Sequence, residues 1–138
     1  MSKKIYLAFL WHHHQPYYRL AGAGTTKAEF QMPWVRLHGI KDYYGMAALI
    51  EQFPKIKSNI NLVPALLKQI KEYLAGDTDR LLSLSQNPAS DLSPEDRQYI
   101  LENAFLAHPQ NMIGACARYK ELYTLYQTVR QRAVTDPA

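Results

Sequence analysis

The spacing of apolar positions along the chain changes several times, and each change marks an element. Ile5–Trp11 (IYLAFLW) is a nearly unbroken apolar run rich in aromatic and β-branched residues. A run this short predicts a strand buried on both faces rather than a helix. It should stop by Pro16, which has no N–H to give to a ladder. Residues 17–38 read as a long loop, with Gly22 and Gly24 in its flexible part and Pro33 ahead of Trp34. Loops of this length often carry function. Met46, Leu49, Ile50 and Phe53 then repeat at helical spacing, with Asp42 placed to act near the start and Pro54 as the stop. Ser58–Val63 (SNINLV) predicts a second short strand. Pro64 suits the first position of a further helix whose apolar face is Leu66, Leu67, Ile70, Tyr73 and Leu74, and Gly76 suits its C-terminal cap.

Residues 5–75 therefore read as strand, helix, strand, helix. Two strands joined by a crossover helix imply parallel pairing and an α/β fold. Parallel strands are buried and need neighbours, so two of them call for further strands. An isolated pair predicts aggregation, oligomerisation or a molten state. The rest of the chain changes character. Residues 77–84 predict a short helix, Asn87–Asp91 a turn, and Ser93-Pro94 a helix start that runs to about Ala107, where Pro109 closes it. A last helix carries Tyr119, Leu122, Tyr123 and Tyr126 on one stripe, and no third strand is expected. Residues 1–76 are thus read as strands and helices of one architecture and 77–138 as a helical segment of the same domain.

Composition narrows the classes. Apolar residues make up 47% of the chain, which argues against global disorder. Ten tyrosines and two tryptophans permit a carbohydrate site, because aromatic faces stack on sugars as well as fill cores. The +4 charge is scattered among acidic residues, which describes a solvated surface and not a nucleic-acid footprint. Cys116 is the single cysteine, so an intramolecular disulfide is excluded. Lys3 and Lys4 precede a short apolar run with no small-residue cleavage site, and no segment is long enough for a bilayer. The default reading is a cytoplasmic protein with no membrane or nucleic-acid partner.

Candidate chemistry concentrates where the first strand ends, at Trp11-His12-His13-His14-Gln15-Pro16. Alternation turns His12 and His14 to one face and His13 to the other. In parallel α/β folds ligands sit at the carboxyl ends of strands, and imidazole and amide groups there suit sugar hydroxyls. A His12–His14 pair is equally the start of a zinc site, which needs further ligands; His38 and His108 are the other histidines, and neither falls at a predicted strand end. A solvated polar strand end is the third reading.

His14-Gln15-Pro16 after an apolar first strand resembles the first signature of glycoside hydrolase family 57. The stretch Pro33-Trp34-Val35-Arg36-Leu37-His38-Gly39-Ile40-Lys41-Asp42-Tyr43-Tyr44-Gly45-Met46 is similar to what that family carries next, and the likeness extends over nearly the whole chain. The resemblance implies the first β-α-β-α part of an incomplete (β/α)7 barrel, followed by a helical insertion. It implies a retaining hydrolase or glucanotransferase acting on α-glucans or maltooligosaccharides, with no cofactor and no required metal. It places His14 next to the scissile bond, with His12, Gln15, Trp34, His38 and Asp42 lining or supporting the substrate site. Retention needs two carboxyl groups about 5–5.5 Å apart. The chain's other acids fall on predicted helices, caps or turns, Asp79 among them, or in the tail (Asp136); Glu29 and Asp42 lie in the loop after the first strand, and Asp42 reads better as a cap or support. No catalytic pair is identified, and a C-terminal companion segment is expected to supply it. The alternatives are a metal-dependent barrel hydrolase using His12 and His14, and a non-enzymatic helical module whose stripe of Tyr119, Tyr123 and Tyr126 binds a partner.

Overall fold

Four residues, Leu10–His13, form the first strand, β1. In the computed structural model, which describes residues 3–19 and 29–135 with side chains as far as 131, β1 pairs in parallel with β3, Asn59–Leu62. The register sets Leu10 against Asn59, Trp11 against Ile60, His12 against Asn61 and His13 against Leu62. Parallel pairing across a helical crossover is as the alternation of elements implied. The strand's position is not. Ile5–Phe9 lie outside the ladder, because β3 offers no partner beyond the bond from Asn59 N–H to the Phe9 carbonyl at 3.0 Å. Nor is β1 buried on both faces: Leu10 is 68% exposed and Ile5 95%. The β1–β3 sheet has two strands, and of its eight residues His13 alone is buried.

Two further strands were unexpected. β2, Glu29–Phe30, pairs in parallel with β4, Thr78–Asp79. Two-residue strands carry no readable period, and this pairing joins residues 49 apart in the chain. The helical stretch also begins earlier than its apolar spacing indicated. α1 spans Trp34–His38, a π-helical turn follows at Gly39–Tyr43, and α2 runs over Tyr44–Glu51. Two parts of the expected loop 17–38, Glu29–Phe30 and Trp34–His38, are therefore regular elements; Gly22 and Gly24 lie outside the described residues, as does Asp136. Asp42 caps nothing here: it sits inside the π turn, and no side chain caps α2.

α3, Pro64–Leu74, matches its prediction closely, with Pro64 in the first turn. Gly76 follows at φ +101°, a left-handed position that a Cβ would strain. Phe30, Val35 and Leu66 are fully buried, and Phe30 stacks on Tyr73 with centroids 4.7 Å apart. Gln69 is buried among them. Its side chain accepts from the Tyr18 amide at 2.9 Å and donates to the Pro16 carbonyl at 2.9 Å, tying the chain after β1 to α3.

Asp79 falls at a helix cap, as one of its expected positions had it, and is also a buried strand residue. It is the last residue of β4 and is wholly buried; it also stands at the start of α4, Arg80–Ser85, where its side chain accepts from the Leu82 amide as a cap does. Its carboxylate takes Arg36 Nε at 2.6 Å, a second Arg36 nitrogen at 3.1 Å, the Tyr73 hydroxyl at 3.1 Å and the Leu82 amide at 2.9 Å. Every lone-pair direction is used, as a buried carboxylate requires. Burial, with Asp79 beside it, pushes the Tyr73 phenol well above its ordinary pKa. The Asp79 hydrogen bond holds Arg36 firmly charged.

The chain divides into two compact units, Met1–Ser83 and Leu84–Ala138. α4, Arg80–Ser85, runs across that division. In the second unit α5, Pro94–Asn103, starts at the expected cap: the Asp96 amide donates to Ser93 Oγ at 3.1 Å. It ends four residues before Ala107, and Pro109 opens a π-helical turn to Ile113. α6 spans Ala117–Thr135. Phe105 packs on Tyr119, Tyr123 and Tyr126 at centroid distances of 5.5, 5.4 and 4.9 Å, and the Tyr119 hydroxyl bonds the Ala104 carbonyl. The tyrosine stripe thus packs inside its own unit.

Candidate functional site

The site is built outward from the end of β1. Strand alternation buries His13 and leaves His12 and His14 exposed, as the sequence predicted. The two exposed rings meet edge to face, with centroids 5.6 Å apart. Across the ladder the Asn61 amide donates to His12 Nδ1 at 3.1 Å, which leaves the proton of the neutral ring on Nε2. His12 therefore presents a donor to solvent.

His13 faces the other way and stacks on Tyr43, centroids 4.5 Å apart and planes 28° from parallel. Its Nε2 lies 3.4 Å from Met46 Sδ, and its buried Nδ1 has no partner among the described residues. Donation from Nε2–H to the sulfur makes Nδ1 a bare acceptor. Gln15 is gripped at both ends of its amide: Tyr18 Oη donates to Oε1 at 2.6 Å, and Nε2 donates to Tyr43 Oη at 3.2 Å. Burial, with Tyr43 nearby, raises the Tyr18 pKa and keeps that donor protonated.

Trp34, His38 and Asp42 recur every four residues along α1 and the π turn, so they line one side of it. The Trp34 and His38 rings lie 6.1 Å apart. His38 Nδ1 is 2.5 Å from one Asp42 oxygen, and Lys41 Nζ is 2.6 Å from the other. The Lys41 bond first, and the His38 bond second, hold the Asp42 carboxyl below the usual carboxylate range. At neutral pH it is an anion with both oxygens engaged. That is the wrong state for a general acid and the right one for fixing a histidine's tautomer.

The structure thus brings the six sequence-nominated residues into two groups. His12, His14 and Gln15 lie at the strand end, and Trp34, His38 and Asp42 lie on the helix. Tyr43, which sequence reasoning passed over, spans them: it stacks on His13, accepts from Gln15 and lies 6.2 Å from the His38 ring. It is one of ten tyrosines, and residue type gave no reason to choose it.

The sequence profile of glycosyl hydrolase family 57 matches residues 8–134. That span contains both groups. The chain belongs to glycosyl hydrolase family 57. Comparison with curated proteins gives no match, and neither does comparison with solved structures.

At the level of the family, the chemistry is that of a glycoside hydrolase or glucanotransferase. In this family 57 chain four of the described carboxylates are engaged with other partners. Glu72 takes the Tyr17 hydroxyl, Lys68 and Arg19. Asp77 takes Arg19. Asp79 is saturated, and Asp42 holds His38. Neither β1 nor β3 ends in an acid. Among the described residues no three of His, Cys, Asp and Glu converge as metal ligands would. No helix among the described residues is long and apolar enough to cross a membrane.

Proposed function

We propose that this family 57 chain forms the opening strands and part of the substrate site of a retaining, α-glucan-active barrel enzyme in the cytoplasm. The observation that carries the reading is the pair of exposed imidazoles, His12 and His14, at the carboxyl end of a parallel pair inside the matched span. Parallel α/β folds gather ligands at that end; the His12 ring, its Nδ1 engaged by Asn61, gives a sugar hydroxyl a donor, and a neutral His14 ring gives both a donor and an acceptor. His14 contacts the sugar at the scissile bond, with His12 beside it. Trp34 supplies an aromatic face and His38 a ring held by Asp42, while Gln15 supports from beneath.

The barrel reading, an incomplete (β/α)7 architecture with residues 1–76 as strands and helices and 77–138 as a helical insertion, draws support from the exposure of the β1–β3 sheet, where His13 alone is buried. Exposed Ile5, Tyr6, Leu7 and Leu10 are apolar surface that parallel strands normally hide. A companion segment supplies further strands and the acid pair that retention requires.

The purified chain, given maltoheptaose or soluble starch, will release no reducing sugar and make no transfer products. Maltoheptaose will alter its tryptophan fluorescence, and His14→Ala will abolish that change. Turnover by the pure chain that vanishes in Asp42→Asn would sink the reading, as would a fluorescence response indifferent to His14.

A further inference from the structure

We infer that Tyr43 is the positioning residue of the strand-end site, fixing the Gln15 amide and the His13 ring so that His12 and His14 face outward together. The consequence for ligand binding rests on the sugar-site reading above; the positioning itself rests on geometry alone.

Three independent contacts converge on this one side chain. The ring covers buried His13 at 4.5 Å. The phenolic oxygen accepts from Gln15 Nε2 at 3.2 Å. The same ring lies 6.2 Å from His38, whose Nδ1 holds Asp42. Gln15 is then the middle of a chain running from Tyr18 to Gln15 to Tyr43. Its carbonyl end accepts from Tyr18 and its amino end donates to Tyr43, so the orientation of the amide is settled by its two partners. His14 lies between His13 and Gln15 in sequence, and both neighbours are held. A residue so flanked has little backbone freedom, and the outward direction of its ring follows. This assigns Gln15 a supporting part, because both ends of its amide are already engaged.

Two substitutions separate the contacts. Tyr43→Phe keeps the stack on His13 and deletes the acceptor for Gln15; Tyr43→Leu deletes both. In the 15N-labelled chain, the Gln15 side-chain amide protons should exchange slowly and resonate away from solvent-exposed amides. Tyr43→Phe should move them to solvent-like shifts while the ring-current shift on His13 persists, and Tyr43→Leu should abolish both signatures. Maltoheptaose affinity should fall roughly three- to tenfold in Tyr43→Phe, the range expected for one hydrogen bond, with the far-UV circular dichroism unchanged. An unaltered Gln15 amide in Tyr43→Phe overturns the positioning role whether or not sugar binds. Unchanged affinity in a variant whose amide has moved also overturns it. Failure of the unsubstituted chain to bind maltoheptaose refutes the sugar site instead, and the amide signal still decides the role of Tyr43.

Discussion

Asp79→Ala tests the hub that positions α1 against α3. The substitution removes a carboxylate with no exposed surface and strands the donors around it: Arg36 at 2.6 and 3.1 Å, the Tyr73 hydroxyl at 3.1 Å and the Leu82 amide at 2.9 Å. Breaking a buried ion pair from one side costs about 3–5 kcal/mol. The Arg36 side chain keeps 22% of its surface exposed, so water regains part of its solvation and the loss lies near the lower end, about 3 kcal/mol. With a urea m-value of about 2 kcal/mol/M, the unfolding midpoint should drop by about 1.5 M. Circular dichroism at micromolar concentration reads the midpoint, and hydrogen exchange at the Leu82 amide reads the local opening. Arg36→Met combined with Asp79→Leu should recover part of the loss, since it removes the stranded charge and still leaves the Tyr73 hydroxyl and the Leu82 amide without their acceptor. A loss under about 1 kcal/mol, with the double variant no better than the single, would refute the assignment of Asp79 as a saturated structural carboxylate.

Further outcomes follow from other contacts. Gln69→Leu deletes the partners of the Tyr18 amide and the Pro16 carbonyl, so it should cost about 2–3 kcal/mol in the same titration and speed exchange at Tyr18. Asp42 has a folded-state pKa lowered chiefly by Lys41 and then by His38. The stability it contributes is therefore complete above its unfolded pKa of about 3.9 and is lost as pH falls through the folded value. Asp42→Asn should flatten that acid limb and leave stability at pH 7 lower by under about 1 kcal/mol, as urea titrations across pH 2–6 would read. Ser93→Ala removes the acceptor for the Asp96 amide and should weaken α5 by about 1 kcal/mol, seen as lower helicity at fixed urea. The exposed Ile5, Tyr6, Leu7 and Leu10 should drive concentration-dependent association in sedimentation, and Leu7→Asp with Leu10→Lys should reduce it. A chain that sediments as a monomer at every concentration would contradict that account.

What the sequence determined alone is what neighbours in the chain decide. Period two along a strand predicts His12 and His14 on one side and His13 on the other. Pro64 in the first turn of α3, the left-handed Gly76 after it and the Ser93 cap are each fixed by the covalent geometry of a residue and the few that follow it. Tertiary structure decided whatever depends on a partner far along the chain. β1 sits at Leu10–His13 because β3 offers a ladder there and nowhere else. β2 and β4 exist through their mutual pairing. Asp79 became a buried anion because Arg36, 43 residues away, arrives with a matching fork. Tyr43 was distinguished from nine other tyrosines by the distant Gln15 and His13 that close around it. Hydrogen bonds and ring contacts act over a few ångströms of space with no regard for sequence separation, so no local pattern of residues could announce them.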